Sequence, residues 1–432
     1  MASPTRLDSY ASRITEEMTR LNGGIFLVSY ILIYFAAPAV YIGIVQAALI
    51  DQLEASATLA NLPLAVYKFG SFAPLIVSWL APHRLEKQVV VWANVMTTIV
   101  LTLVFLTLVL PVSTPVRISA LILQGLFQGL SGSTSMIFQL QCLTRGTTSE
   151  GRIRVLKRTF TLTPLAAVVG SLFAQWVLGP QFTWFAFPYD FAMVYLTAIP
   201  CIAGVAFIST RYDLAPLADE PRKPFFGHLV LAVKEFAASP SLRLAWLGYW
   251  LWYLTLAIIP NLSLYSKEAI GVDPQDYSGL MMALRFGCKA MGGYLLGWIA
   301  LRYGLRASAF TSVALLAVGI LWGWGIPGFA YLLAFGFIGA GELGGTYFPN
   351  FVAVLSSPEA GTRNLALVQL APPVSSFAPA VHGGLADIWG FPASFIFGLA
   401  AAAVSMGLVS RIRERGGGKK PSSSPPDGRR EP

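Results

Sequence analysis

The run YKFGSFAPLIVSWLAPHR at 67–84 has a counterpart in the second half of the chain, LRFGCKAMGGYLLGWIALRYG at 284–304. Each sets a basic residue before Phe-Gly, as Lys68-Phe69-Gly70 and Arg285-Phe286-Gly287. Each closes on small-Trp-aliphatic-Ala, Ser78-Trp79-Leu80-Ala81 and Gly297-Trp298-Ile299-Ala300, then a basic turn, with the register differing by two residues between these landmarks. A second pair, SEGRIRVL at 149–156 and EAGTRNLAL at 359–367, follows in the same order. Each match is short, and apolar helices resemble one another by chance. Two matches in one order point to a duplicated unit.

The repeat is built of apolar runs. They recur at about 24–50, 58–80, 88–110, 115–140, 159–179, 187–209, 243–265, 275–300, 305–325, 328–356, 364–387 and 391–410. Each is long enough to cross roughly 30 Å of hydrocarbon as a helix. Charged residues make up 12% of the chain, against about 25% in soluble domains. The fold class expected is an all-α membrane protein of twelve transmembrane helices in two pseudo-symmetric six-helix bundles, 24–209 and 243–410.

The connecting segments alternate in basic content. Arg84, Lys87, Arg145, Arg152, Arg211, Arg302, Arg306, Arg363 and both termini fall on one side, while the other holds only Arg117 and Lys267. Lys and Arg concentrate in cytoplasmic loops, so both termini are expected in the cytoplasm and the chain in the plasma (inner) membrane. The net charge of +9 is thereby accounted for by orientation, which argues against nucleic acid as a partner. Residues 1–23 show no cleavable signal peptide, so the first span is expected to serve as the insertion signal. Leu7, Tyr10, Ile14, Met18 and Leu21 have the spacing of an interfacial helix, with a solvated tail as the alternative. The loop 210–242 separates the halves, and FFGHLVLAVKEF within it could form a second interfacial helix. The tail 411–432, rich in Gly, Ser, Pro and charge, is expected to be disordered. Cys142, Cys201 and Cys288 lie far apart and suggest neither disulfide nor metal. No enzyme motif and no cofactor-binding pattern is present.

Four ionisable residues fall at membrane depth: Lys68, Arg285, Lys289 and Glu342. Each costs about 2.5–3.5 kcal/mol to insert unless paired, wetted or used. Three cations face one acid. One cation can pair with Glu342, and an anionic solute would supply the countercharge the others lack, arginine being suited to bidentate binding of carboxylate or phosphate. Alternatively Arg285–Glu342 is a fixed pair and Lys289 snorkels. Glu342, a carboxyl held between burial and a nearby cation, is also a candidate proton carrier. It lies in GAGELGGTYFPN, where the small residues suit close packing or bending.

The chain resembles the major facilitator superfamily over roughly residues 20–410. The family loop pattern G-x-x-x-D-[RK]-x-G-[RK]-[RK] is matched by Gly297-Trp-Ile-Ala-Leu301-Arg302-Tyr303-Gly304-Leu305-Arg306, with Leu301 in place of the acid. The first copy is more eroded: Ser78 opens it, Pro82 replaces the acid, and His83, Arg84 and Lys87 supply charge. GGLADIWG at 383–390 is also similar to a family segment. The resemblance implies gating roles for Arg84, Arg302, Gly304 and Arg306, although loss of both acids puts the family's charge relay in doubt. The drug-antiporter glycine pattern is absent from TLTPLAAVVGSLFAQW at 161–176.

By the family plan, spans one, four, seven and ten line a central cavity. The resemblance therefore adds Gln46, Gln128, Trp250, Tyr347 and Asn350 to Lys68, Arg285 and Lys289 as candidate solute-binding residues. Trp246, Tyr249, Trp250 and Tyr253 share a helical stripe that suits stacking on a flat solute, or else an interfacial belt. The leading reading is a secondary transporter of a small polar, anionic solute, proton-coupled or an exchanger, acting as a monomer in the lipid bilayer without cofactor. Export of amphiphilic compounds and a non-transporting sensor of the same fold are the alternatives.

Overall fold

A computed structural model describes residues 14–80, 85–215, 230, 233–234, 236–356 and 361–412. Most of the expected interfacial helix in the loop, most of the C-terminal tail and most of the N-terminal segment lie outside the described residues, as does Arg84. All regular structure among the described residues is helical.

Among the described residues, nine helical stretches are long and apolar enough to cross a membrane. Three further stretches complete the twelve: span four, Thr114–Gly146; span eight, Pro274–Tyr303; and span eleven, built from Gly361–Val368, Ala371–Val374 and Ala378–Trp389. Spans four and eight carry many polar groups, and these turn inward: Gln124, Gln128, Ser131, Ser135, Gln139 and Arg285 are all buried. Span one begins at Glu16 rather than near residue 24, because Thr15 caps the helix by accepting from the Met18 amide at 3.1 Å.

Several spans are interrupted. Span one breaks at Ala36 and again at Gly43, whose φ of 150° suits glycine, before Ile44–Gln52. Span two divides into Ala57–Gly70 and Ala73–Leu80, and span seven into Pro240–Leu256 and Ile259–Leu264. Span ten divides into Leu333–Gly341 and Gly344–Leu355, with Glu342 at the break.

The two halves pack alike. Span two lies against span four as span eight lies against span ten. Spans one and six, three and four, and three and six pair as do seven and twelve, nine and ten, and nine and twelve. Glycine permits the closest of these approaches. A Cβ on Gly129 of span four would overlap the Tyr67 carbonyl of span two, and one on Gly339 of span ten would overlap the Arg285 carbonyl of span eight. The halves meet along two related seams, span five on span eight and span eleven on span two.

Candidate functional site

Arg285 and Lys289 lie four residues apart on span eight and so on one face. Both reach the carboxylate of Glu342 at the break in span ten. The Arg285 Nε donates to Oε1, and the Lys289 Nζ donates to Oε2 at 3.1 Å. Glu342 is 8% exposed and Arg285 7%, so one acid is shared by two cations inside the bundle. The interruption of span ten puts the carboxylate where two helix segments meet, and Gly339 lets span eight approach to bonding distance.

Lys68 is buried on the opposite half, in span two. Its Nζ donates to the Tyr253 carbonyl of span seven at 2.9 Å and lies 5.4 Å from the centre of that ring. Among the described residues it has no acidic partner. Aromatic side chains connect this cation to the triad. Tyr253 packs edge-on against Trp252, and the Trp252 Nε1 donates to the Gly341 carbonyl, next to Glu342, at 3.1 Å. Tyr249 stacks on Trp252 and on Phe348 of span ten. Phe286, beside Arg285, meets the rings of Tyr34 and Tyr41 of span one edge-on.

The other expected solute contacts are placed variously. Gln46 holds the break in span one: it accepts from the Gly43 amide and donates to the Ala39 carbonyl, both at 3.0 Å. Gln128 is buried, and its amide makes no hydrogen bond with the described residues. Trp250 turns away from the Tyr249–Trp252–Tyr253 cluster and packs near Phe377 and Leu254, so the aromatic stripe divides between two environments. Tyr347 is half-buried, and Asn350 is exposed and donates to its own helix at the Thr346 carbonyl. Of the gating candidates, Arg302 is exposed beside Tyr303, Gly304 turns the chain between spans eight and nine at φ 89°, and Arg306 donates to the Ile412 carbonyl at 2.7 Å.

Sequence reading missed a polar seam at the end of the bundle away from the termini. The Asp387 carboxylate of span eleven accepts from the Ala57 amide at 2.8 Å and from the Thr58 amide and hydroxyl at the start of span two, where the helix dipole favours an anion. Lys267 pairs with Asp51 at 2.7 Å. Burial opposes the charge on Lys267, but the hydrogen bond and charge of Asp51, joined by Asp273, hold its ammonium above the usual lysine range. Asn261, buried in span seven, accepts from Asn61 and donates to the His382 carbonyl and the Ser394 hydroxyl, which leaves no room for a glycan at this sequon. On the span five–eight seam, Gln175 accepts from the Leu280 amide at 2.8 Å.

Two six-helix halves pack with charged and aromatic side chains between them. The chain has the major facilitator fold. No family model matches the sequence. The structure is similar to that of the nucleoside transporter NupG, with a TM-score of 0.62 at 13% identity over 91% of this chain and 98% of that one. It is similar to a bacterial homologue of the iron transporter ferroportin in its inward-facing state, with a TM-score of 0.65 at 15% identity over 90% and 99%. A D-xylose-proton symporter gives 0.63 at 11% identity over 91% and 97%.

Proposed function

We propose that this protein is a secondary transporter that moves a small, polar, anionic solute across the membrane by alternating access. The observation that carries this reading is the imbalance of charge at the site: the buried Arg285 and the half-buried Lys289 share Glu342, and the buried Lys68 rests on a carbonyl and a ring. In a low-dielectric interior such an excess is unfavourable unless an anion completes it. Lys68 and the triad sit in different halves on either side of the span-seven aromatics, so an anion bound between them would join the two halves. Glu342 then serves as countercharge or as proton site. Arg302, Gly304 and Arg306 would act at the turn between spans eight and nine.

The contacts of Asp387, Lys267, Asn261 and Gln175 between the halves all lie in the part of the bundle remote from the termini. That pattern supports a state open toward the termini. The ferroportin homologue agrees with it: its inward-facing structure gives a TM-score of 0.65 and its outward-facing structure 0.59. With both termini cytoplasmic, the state described is inward-facing.

Uptake by proteoliposomes holding the purified protein, offered organic acids, sugar phosphates and uncharged sugars, tests the proposal. Saturable flux of an anion, abolished by Arg285→Ala, is the expected result. Flux of uncharged solutes alone, or anion flux indifferent to Arg285→Ala and Glu342→Gln, would refute it.

A further inference from the structure

We propose that a second recognition site lies inside the N-terminal half, a cavity of about 230 Å³ that takes the neutral, hydroxyl- or amide-bearing ring of the solute. This rests on the anion-carrier reading and narrows its substrate class to ring-bearing anions.

The cavity is walled by spans one, two, three, four and six rather than by the seam between the halves. One wall is amide and hydroxyl, with Asn94, Gln128, Ser135 and Gln139; the other is tyrosine, with Tyr34 and Tyr67 prominent. None of its lining residues is a Lys, Arg, Asp or Glu. It is therefore suited to an uncharged group, in contrast to the triad.

Two glutamines show what is wanted there. Gln128 is 4% exposed and Gln139 is fully buried, and the Oε1 of each has no partner. The Nε2 of Gln139 donates to the Ser135 hydroxyl at 2.8 Å, which leaves its Oε1 as the unpartnered atom. Gln128 makes no side-chain hydrogen bond among the described residues. A buried polar atom left unsatisfied costs about 1–3 kcal/mol. Two on one wall are a standing cost that a ligand presenting donors would remove. The facing tyrosines offer ring faces, Tyr30 and Tyr34 lying nearly parallel with centroids 6.3 Å apart. The volume is below the roughly 300–1,000 Å³ of pockets for drug-sized ligands, which fits a single ring.

The cavity adjoins both cation sites. Tyr67 in its wall precedes Lys68, and Tyr34 and Tyr41 in its wall touch Phe286, the neighbour of Arg285, at 5.9 and 5.1 Å between ring centres. A ring seated here would direct a charged substituent toward those cations.

The test is binding to the full-length protein in lipid nanodiscs, measured by calorimetry with glucose 6-phosphate, uridine 5′-monophosphate and the ringless glycerol 3-phosphate, together with uncharged glucose and uridine. At least one ring-bearing phosphate should bind on the order of tenfold more tightly than glycerol 3-phosphate. That preference should fall to near unity in Gln128→Leu and, as a second folded variant, in Gln139→Leu. Equal binding of ringed and ringless phosphates, or a preference surviving both substitutions, overturns the site. Arg285→Ala should weaken all three phosphates together. If no phosphate binds but glucose or uridine does, with loss in Gln128→Leu, the anion reading fails and the second site stands. If none of the five binds, the second site fails, while the anion reading is decided by the uptake panel that includes organic acids.

Discussion

Glu342 is the residue on which the charge arrangement turns. Its two oxygens are divided between Arg285 and Lys289, so neutralising it leaves the buried Arg285 and the half-buried Lys289 without an acid. Removing one partner of a buried ion pair costs about 3–5 kcal/mol. Glu342→Gln is therefore expected to lower the unfolding temperature in detergent and to abolish coupled uptake. Arg285→Lys should keep the charge but lose the planar donor set aimed at the carboxylate, and so weaken transport without matching that loss of stability. Lys68→Met removes a cation held only by the Tyr253 carbonyl and ring. Its expected signature is loss of solute affinity with a smaller effect on thermal stability, read by comparing uptake constants with unfolding temperatures.

At the scale of the elements, glycine decides which spans can touch. The approach of span two to span four at Gly129, and of span eight to span ten at Gly339, leaves no volume for a methyl group. Gly129→Ala should force the pair apart at a cost of about 1–3 kcal/mol. Gly293, in the same span as Arg285, has nothing within 4 Å of a new Cβ. Gly293→Ala should be neutral or stabilise by up to about 1 kcal/mol, since alanine is the better helix former. Thermal unfolding of the two variants side by side checks the contrast. The interruptions of spans one, seven and ten act differently. They place backbone carbonyls and Glu342 at membrane depth where side chains can meet them, as Gln46 of the same span and Gln124 of span four both meet the Ala39 carbonyl.

At the scale of the whole molecule, alternating access requires the seam remote from the termini to open. The bonds of Asp387 to Ala57 and Thr58, and of Lys267 to Asp51, must then break. Cysteines introduced together at 51 and 267 in a background lacking the native three should be joined by a reducible bifunctional thiol reagent in the state described here, since Lys267 spans the gap to Asp51 with its full length. Locking that pair should stop transport, and reduction should restore it. Asp387→Asn keeps the shape but removes the charge at the start of span two, and is expected to shift the population toward the opposite opening, measured as increased labelling of a cysteine at position 61. A C-terminal tag should resist external protease in intact spheroplasts and be cleaved after permeabilisation.

The amino-acid sequence by itself determined the number of spans, their duplication and the four ionisable residues at depth. Hydrophobic length, basic bias and charge in hydrocarbon are local properties, readable one segment at a time. The sharing of Glu342 by Arg285 and Lys289 was half legible, because a spacing of four on one helix predicts a common face but not the partner on span ten. Tertiary structure alone decided the rest. Gln46 went to a helix break and Trp250 to an outer packing surface, since an amide or an indole satisfies a carbonyl or fills a gap as readily as it binds solute. Asp387, Thr58 and Asn261 came together only because two halves folded from distant sequence closed against each other. No spacing along one chain encodes a contact whose two sides are set by the packing of separate bundles.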